Sequence, residues 1–426
     1  MSIVKNPTTT IRSLRQALHA WALEHFGEEH VQDLEEDSEP LRIEVHASAP
    51  EVEVSFEGED LLRVSAQTSP AGPGYHAWLC DALRQLGSRL SLHWLSAEED
   101  EESRDETGFF ETQDYTALED VMLAWLREVC TQAARLLPSQ VALGLPTSHT
   151  FEGGPVLTPL GPRDETWLQA VIAEPRRGLD FFPWWERGLG AGARLGGALS
   201  QMWLELRWRP PEDEEEEAAL HEVIDSLQRA FAQDARREYP WREWAELLEH
   251  LDTEEEDPVA RLVRARAEEP GPRERPLIGY RRAPVRVRLP ADWSVRLPGE
   301  FSEGWDEEGT FVAGAEDRAV WISLYSSQEA NTETESLEER PETLPREEKT
   351  LSLKSEHWVG SARLESREAE GERSFVLHAR LVKRPQLALL TVQYLDPGDR
   401  TWALELVHSV EAPPSGPPRS DPPSEG

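Results

Sequence analysis

The sequence predicts an α+β, multidomain protein, and three observations carry that prediction. Short segments of alternating β-formers (LRIEVHA, EVEVSFE, DLLRVSAQ) precede two long stretches of three-to-four apolar spacing, Tyr75–Leu90 and Tyr115–Leu137. An order of strands, helix, strand with Trp, acidic loop and helix recurs after Pro138. Beyond EEPGPRERP, residues 268–276, the texture turns to strands. A chain of 426 residues also exceeds one ordinary core.

Thr8 or Thr9 can cap a helix from about Thr10 to Phe26, with Leu14, Leu18, Trp21, Ala22 and His25 on one face. The three β segments form a small antiparallel sheet, with a hairpin turn at Glu57-Gly58-Glu59-Asp60. A Pro/Gly loop then leads into the first long helix, whose stripe is Tyr75, Leu79, Ala82, Leu83, Leu86 and Leu90. Ser91–Leu95 reads as a strand, and 96–114 as an acidic loop. The second long helix buries Leu118, Val121, Met122, Trp125, Leu126, Val129 and Ala133. After Pro138, VALGLP, PVLTPL, TWLQAVIAE and LSQMWLELRW read as strands. Helices follow through Leu220–Phe231, around Trp241–Leu248 and over Pro258–Glu269.

The decamers LGSRLSLHWL (86–95) and LGGALSQMWL (195–204) share six residues. With the recurring order, they suggest a tandem α+β repeat of about a hundred residues per unit. The expected division is 1–138 as a first unit with an N-terminal helix, 139–267 as a related second unit, and 268–276 as a linker. Residues 277–411 form a sandwich-like domain, and 412–426, rich in Pro and Ser, form a disordered tail.

In the last third, PVRVRLP, WSVRLP, GTFVAGA, AVWISLYSS, TLSLKSEHWVGSARLESRE, SFVLHARLVKR and LALLTVQYLD read as strands, and DRTWALELVHSV as a closing helix. A charged segment, 328–349, interrupts them. The features LPADWSV, Trp321-Ile322-Ser323, LALLTVQY and WALELVHSV make residues 277–410 resemble the Mog/PsbP-like α/β/α sandwich modules of small bacterial proteins. The resemblance implies an antiparallel-sheet sandwich in a non-enzymatic binding or assembly factor, and it brings no catalytic residues with it.

The 82 acidic and 44 basic side chains give a net charge of −38. Such a surface repels phosphate backbones and anionic lipid, so neither nucleic acid nor membrane is expected as a partner. Two cysteines, Cys80 and Cys130, are too few for a disulfide scaffold. No secretory leader or stretch of about 18 apolar residues is recognisable, so a cytoplasmic, reduced bacterial protein is expected.

Motifs of chemistry are sparse. His76 and Cys80 stand four apart on one helix, which is metal-pair spacing, but no CxxC, HExxH or HxH supplies further ligands. A half-buried helix face explains both. Gly188-Leu189-Gly190-Ala191-Gly192-Ala193 matches G-x-G-x-x-A without the preceding strand that a dinucleotide site needs. Arg-Asp-Glu-Thr occurs at 104–107 and 163–166, and turn or capping duty accounts for it as well as acid–base work does. No G-x-S-x-G elbow occurs. The acidic runs Glu98–Glu102, Glu212–Glu217 and Glu254–Asp257 read as solvated loops. Neither metal, cofactor nor small-molecule ligand is expected.

The aromatic clusters hold more bulk than a loop usually hides. Phe181, Phe182, Trp184, Trp185, Trp241 and Trp244, with Tyr75 and His76 behind the Gly72-Pro73-Gly74 loop, are the interaction candidates. The expected function is a non-enzymatic protein-interaction component that docks through aromatic patches and an acidic surface onto a basic protein. An immunity-type protein, or an accessory subunit of a bacterial secretion or defence assembly, fits. The alternative is an enzyme whose site is assembled from dispersed carboxylates and His76.

Overall fold

The computed structural model describes residues 2–4, 11–26, 31–32, 40–57, 61–95, 104–252, 257–269, 276–326, 350–369 and 372–412. The hairpin turn at Glu57–Asp60, the linker, the segment 328–349, the runs Glu98–Glu102 and Glu254–Asp257, and the tail lie wholly or largely outside those residues. The chain is α+β and multidomain. One compact unit comprises Met1–Pro146 with Gly153–Tyr280, the other Thr147–Glu152 with Arg281–Gly426.

In the first unit, strands β1 (Ser2–Val4), β2 (Val31–Gln32), β3 (Leu41–Ile43), β4 (Val52–Glu57), β5 (Leu61–Ser65) and β6 (His93–Trp94) form an antiparallel sheet in the order β2-β3-β4-β5-β1-β6. Helices α1 (Ile11–Phe26) and α2 (Pro73–Leu90) bring Leu18, Trp21, Tyr75, Leu79 and Leu86 into one core cluster with Ile43, Val54 and Val64 of the sheet. A second cluster takes Ala77 and Cys80 from another side of α2. It joins them to α4 (Tyr115–Leu136, after the single turn α3, Phe109–Thr112) and to Leu168 and Val171 of α5 (Glu165–Ala173). Helix α2 is therefore shared by two cores.

The entry to α2 is stitched to Trp184: the Gly74 N–H donates to the Trp184 carbonyl (3.0 Å), and the Trp184 N–H donates to the Ala71 carbonyl (2.9 Å). A Cβ on Gly74 would lie 2.2 Å from the indole of Trp184, and Gly72 has φ +113°, so both positions require glycine.

Several expected strands are helices. TWLQAVIAE forms α5, where Asp164 Oδ1 accepts from the Trp167 N–H (2.7 Å) and Leu168 and Val171 share the buried face. LSQMWLELRW is mostly the end of α6 (Ala191–Leu204), buried around much of its circumference, which erases the amphipathic signature of a helix. The tandem repeat is not confirmed: Leu195–Leu204 is helical throughout, whereas Leu86–Leu95 leaves its helix at Ser91 (φ +53°) and enters β6. The run Glu212–Glu217 is also no loop from Glu214 on. It opens α7 (Glu214–Gln233), capped by Asp213, with four carboxylates at the positive end of the helix dipole and Glu216 held by both Arg209 nitrogens at 2.7 and 2.8 Å. Helices α8 (Trp241–His250) and α9 (Pro258–Ala267) follow. Three short strands, β7 (Val141–Ala142), β9 (Val156–Thr158) and β10 (Gly161–Arg163), make a small sheet in which β7 and β9 run parallel.

The second unit starts with β8 (His149–Phe151), which pairs with β11 (Val285–Arg288), itself paired with β12 (Ser294–Leu297). Then β13 (Ser302–Trp305), β14 (Phe311–Ala315), β15 (Arg318–Ser326), β16 (Thr350–Lys354), β17 (Val359–Ala369), β18 (Glu372–Lys383) and β19 (Gln386–Tyr394) form an antiparallel sheet in the order β13-β14-β15-β19-β18-β17-β16. The closing helix α10 (Arg400–His408) packs on β19 and β12 and buries Ala403, Leu406 and Val407. Strand β8 is too short to announce itself. It is pinned by a buried ionic triad, in which Glu303 lies 2.7 Å from His149 Nε2 and takes both Arg281 nitrogens at 3.0 and 3.3 Å.

Burial alone would raise the Glu303 pKa, but the His149 hydrogen bond and the Arg281 charge outweigh it and bring it down to about 2. A depressed carboxylate stabilises the fold above its ordinary value of 4.5, and that stabilisation is lost as pH falls from 4.5 to about 2. Glu303→Gln should cost about 3–5 kcal/mol near neutral pH, because it leaves the Arg281 charge buried and unbalanced. It should also flatten the acid limb of the stability profile. Urea unfolding over that pH range checks both.

Candidate functional site

His76 lies in the first turn of α2, where the short loop before the helix and the segment after the acidic loop meet. Its Nδ1 is 2.8 Å from the Thr68 hydroxyl. Its Nε2 is 3.3 Å from Asp105 Oδ2, 3.0 Å from Thr107 Oγ1 and 3.4 Å from Cys80 Sγ. Asp105 is held in turn: the Thr107 N–H and hydroxyl donate to its Oδ1 at 2.9 and 2.8 Å, and the Phe110 N–H donates to its Oδ2 at 2.7 Å. Burial opposes ionisation of Asp105. The hydrogen bond and charge of His76 and the two backbone donors outweigh it and hold the carboxyl well below the usual carboxylate range. Burial, reinforced by the Asp105 charge, pushes the Cys80 thiol far up, so it is no ready nucleophile.

Sequence reasoning weighed His76 with Cys80, and separately Arg104–Thr107, but missed that the fold joins them. The only available signal was the Asp-x-Thr turn chemistry at Asp105. Its counterpart at Asp164 caps α5 and lies in no such cluster.

The aromatic candidates are mostly core. Tyr75, Phe181 and Trp244 are fully buried, Phe182 and Trp184 nearly so, and only Trp185 and Trp241 are partly exposed. Trp184 packs against Tyr75 (5.9 Å between centroids), Trp78 (5.6 Å) and His46 (6.4 Å), and its indole N–H donates to the Gly188 carbonyl. Phe181 and Phe182 contact each other and Trp125. Trp241 stacks on Trp244 beside Phe231 and Tyr239. Buried rings have no area left to offer a partner, so these clusters are packing centres and form no exposed aromatic patch. His46, buried beside Tyr75, accepts the Ser48 N–H at Nδ1, and desolvation pushes its pKa down to about 4.

Exposed apolar surface lies on the seven-stranded sheet of the second unit. Residues directly opposite on neighbouring strands share a face. Tyr325, Leu387, Val382 and Val359 are successive partners across β15, β19, β18 and β17. Tyr325 is 54% and Val359 53% exposed, and Leu389 (39%) belongs to the adjacent row. Lys354 and Arg380 flank this stripe. In the first unit, an open groove of about 740 Å³ between α4 and Glu174–Arg176 is lined by charges of both signs, among them Asp120, Arg127, Glu128 and Arg176.

No family model and no curated protein matches the chain. A solved crystal structure from Bacteroides thetaiotaomicron VPI-5482 is similar at 17% identity over 31% of this chain, with a TM-score of 0.26. The match spans 49% of that protein, a likeness too slight to assign a fold.

Trp184→Ala should destabilise the first unit by about 3–5 kcal/mol, since it empties the contact between α2 and the loop that closes over it. Trp185→Ala, at a partly exposed position, should cost less than half as much. Equilibrium urea unfolding of the two variants gives the comparison.

Proposed function

We propose that the protein is a non-enzymatic protein-interaction component, docking through the outward face of the second unit's sheet. The observation that carries this reading is the cross-strand apolar row Tyr325–Leu387–Val382–Val359. A row of that kind on a solvated sheet face is a poor choice for solubility and a good one for a contact. The net charge of −38 favours a partner of net positive charge, drawn in electrostatically, with apolar side chains for the row and a carboxylate to meet Arg380. A cytoplasmic accessory subunit of a bacterial secretion or defence assembly, or an immunity-type protein, suits these properties. The long antiparallel sheet with a closing helix supports the Mog/PsbP-like reading of the second unit, whose resembling modules are mostly binding or assembly factors.

A second reading, an enzyme with a site built from dispersed carboxylates and His76, draws support from the Thr68–His76–Asp105 hydrogen-bonded line. In it Thr68 and His76 are both buried, which leaves a substrate little access.

Affinity purification from the native host with three baits separates the readings. The wild-type chain should retain a stoichiometric protein partner, Tyr325→Asp/Val359→Asp should lose at least about tenfold of it, and Leu136→Asp, exposed on the first unit, should keep it. Equal capture by wild type and the sheet variant, or no stoichiometric partner at all, would contradict the docking reading.

A further inference from the structure

We propose that His76 Nε2, Cys80 Sγ and Asp105 Oδ2 form a binding site for a zinc-like divalent cation, a role that stands apart from the docking reading and rests on other residues. The three donor atoms lie within 4.8 Å of one another. Around a tetrahedral zinc, with bonds of about 2.0–2.1 Å to nitrogen and oxygen and about 2.3 Å to sulfur, the edges are about 3.3 Å for N···O and about 3.6 Å for N···S. The observed separations are 3.3 Å from His76 Nε2 to Asp105 Oδ2 and 3.4 Å from His76 Nε2 to Cys80 Sγ. Both edges from His76 Nε2 already stand at ligand spacing, and the third, between Asp105 and Cys80, is no longer than 4.8 Å.

The donor set and its surroundings fit the same ion. A thiolate, an imidazole and a carboxylate suit zinc rather than magnesium or calcium. Thr68 lies on His76 Nδ1, where its hydroxyl can accept the ring N–H and direct Nε2 inward, as the outer partner of a metal-bound histidine does. The Thr107 N–H fixes the Asp105 carboxylate through Oδ1 and the Phe110 N–H through Oδ2. Thr107 Oγ1 lies 3.0 Å from Nε2, beside the donor set. Binding replaces the Cys80 S–H proton with the cation and releases that proton to solvent. A divalent ion with one thiolate and one carboxylate then carries no net charge, so the buried site holds no unbalanced ion. Without an ion, hydrogen bonds hold the same groups together, so the arrangement does not depend on loading.

Co(II), added to chelator-treated full-length protein, reports directly on thiolate ligation. The wild type should bind a single equivalent, with a thiolate-to-cobalt charge-transfer band and intense tetrahedral visible bands, both displaced by Zn(II). Cys80→Ser should abolish the charge-transfer band, Asp105→Asn should weaken binding at least about tenfold, and Cys130→Ser should bind as wild type. A wild-type spectrum without the thiolate band would overturn the proposal, as would a band that survives in Cys80→Ser. Should Cys80→Ser fail to fold, the wild-type spectrum and the Asp105→Asn affinity decide the matter alone.

Discussion

The first unit depends on burying α2 from two sides at once. Tyr75, Leu79, Leu83 and Leu86 serve the sheet cluster, while Ala77 and Cys80 serve the helical one. A helix so placed has almost no solvent face near its start, so the chain that enters it must come in without bulk. Gly72 and Gly74 meet that demand, and Trp184 closes over them by reciprocal backbone hydrogen bonds. This stitch joins residues more than a hundred apart and packs the two clusters around one helix. Its consequence for chemistry is local: the first turn of α2 presents His76 to the interior, where Thr68, Asp105, Thr107 and Cys80 are in reach.

Much of the secondary structure was legible in the sequence because amphipathic periodicity survives wherever an element has one dry and one wet face. Helices α1, α4, α7, α8 and α10, the C-terminal half of α2, and most strands of the second unit have that character. The misreadings have a shared physical cause. Helix α5 is only nine residues long, and α6 is buried on most sides, so apolar residues ran together and imitated strands. The six-in-ten match between residues 86–95 and 195–204 was a match of letters, since one decamer turns at Ser91 and the other remains helical. Strand β8 owes its place to partners far along the chain, which no local pattern encodes.

The candidate site shows the same division. The His76–Cys80 spacing was visible because one helix supplies both, but Asp105 arrives through the tertiary fold. The aromatic clusters illustrate the opposite error: their bulk was read as a contact surface because it exceeds what a loop usually hides. The fold uses Phe181, Phe182 and Trp184 to fill the space around α2, and leaves exposed apolar area to β strands whose alternation had announced only an ordinary sheet. Recognition and packing draw on the same side chains, and only burial distinguishes them.

The account stands most directly on α2 being common to both cores of the first unit. Native-state amide hydrogen exchange tests it, since amides opened only by global unfolding share one free energy. Leu79–Leu86, Val54 and Val64 in the sheet, and Leu118–Leu126 in α4 should exchange as a single, most protected group. Exchange of α2 together with one cluster, while the other opens at a separate and lower free energy, would contradict the claim.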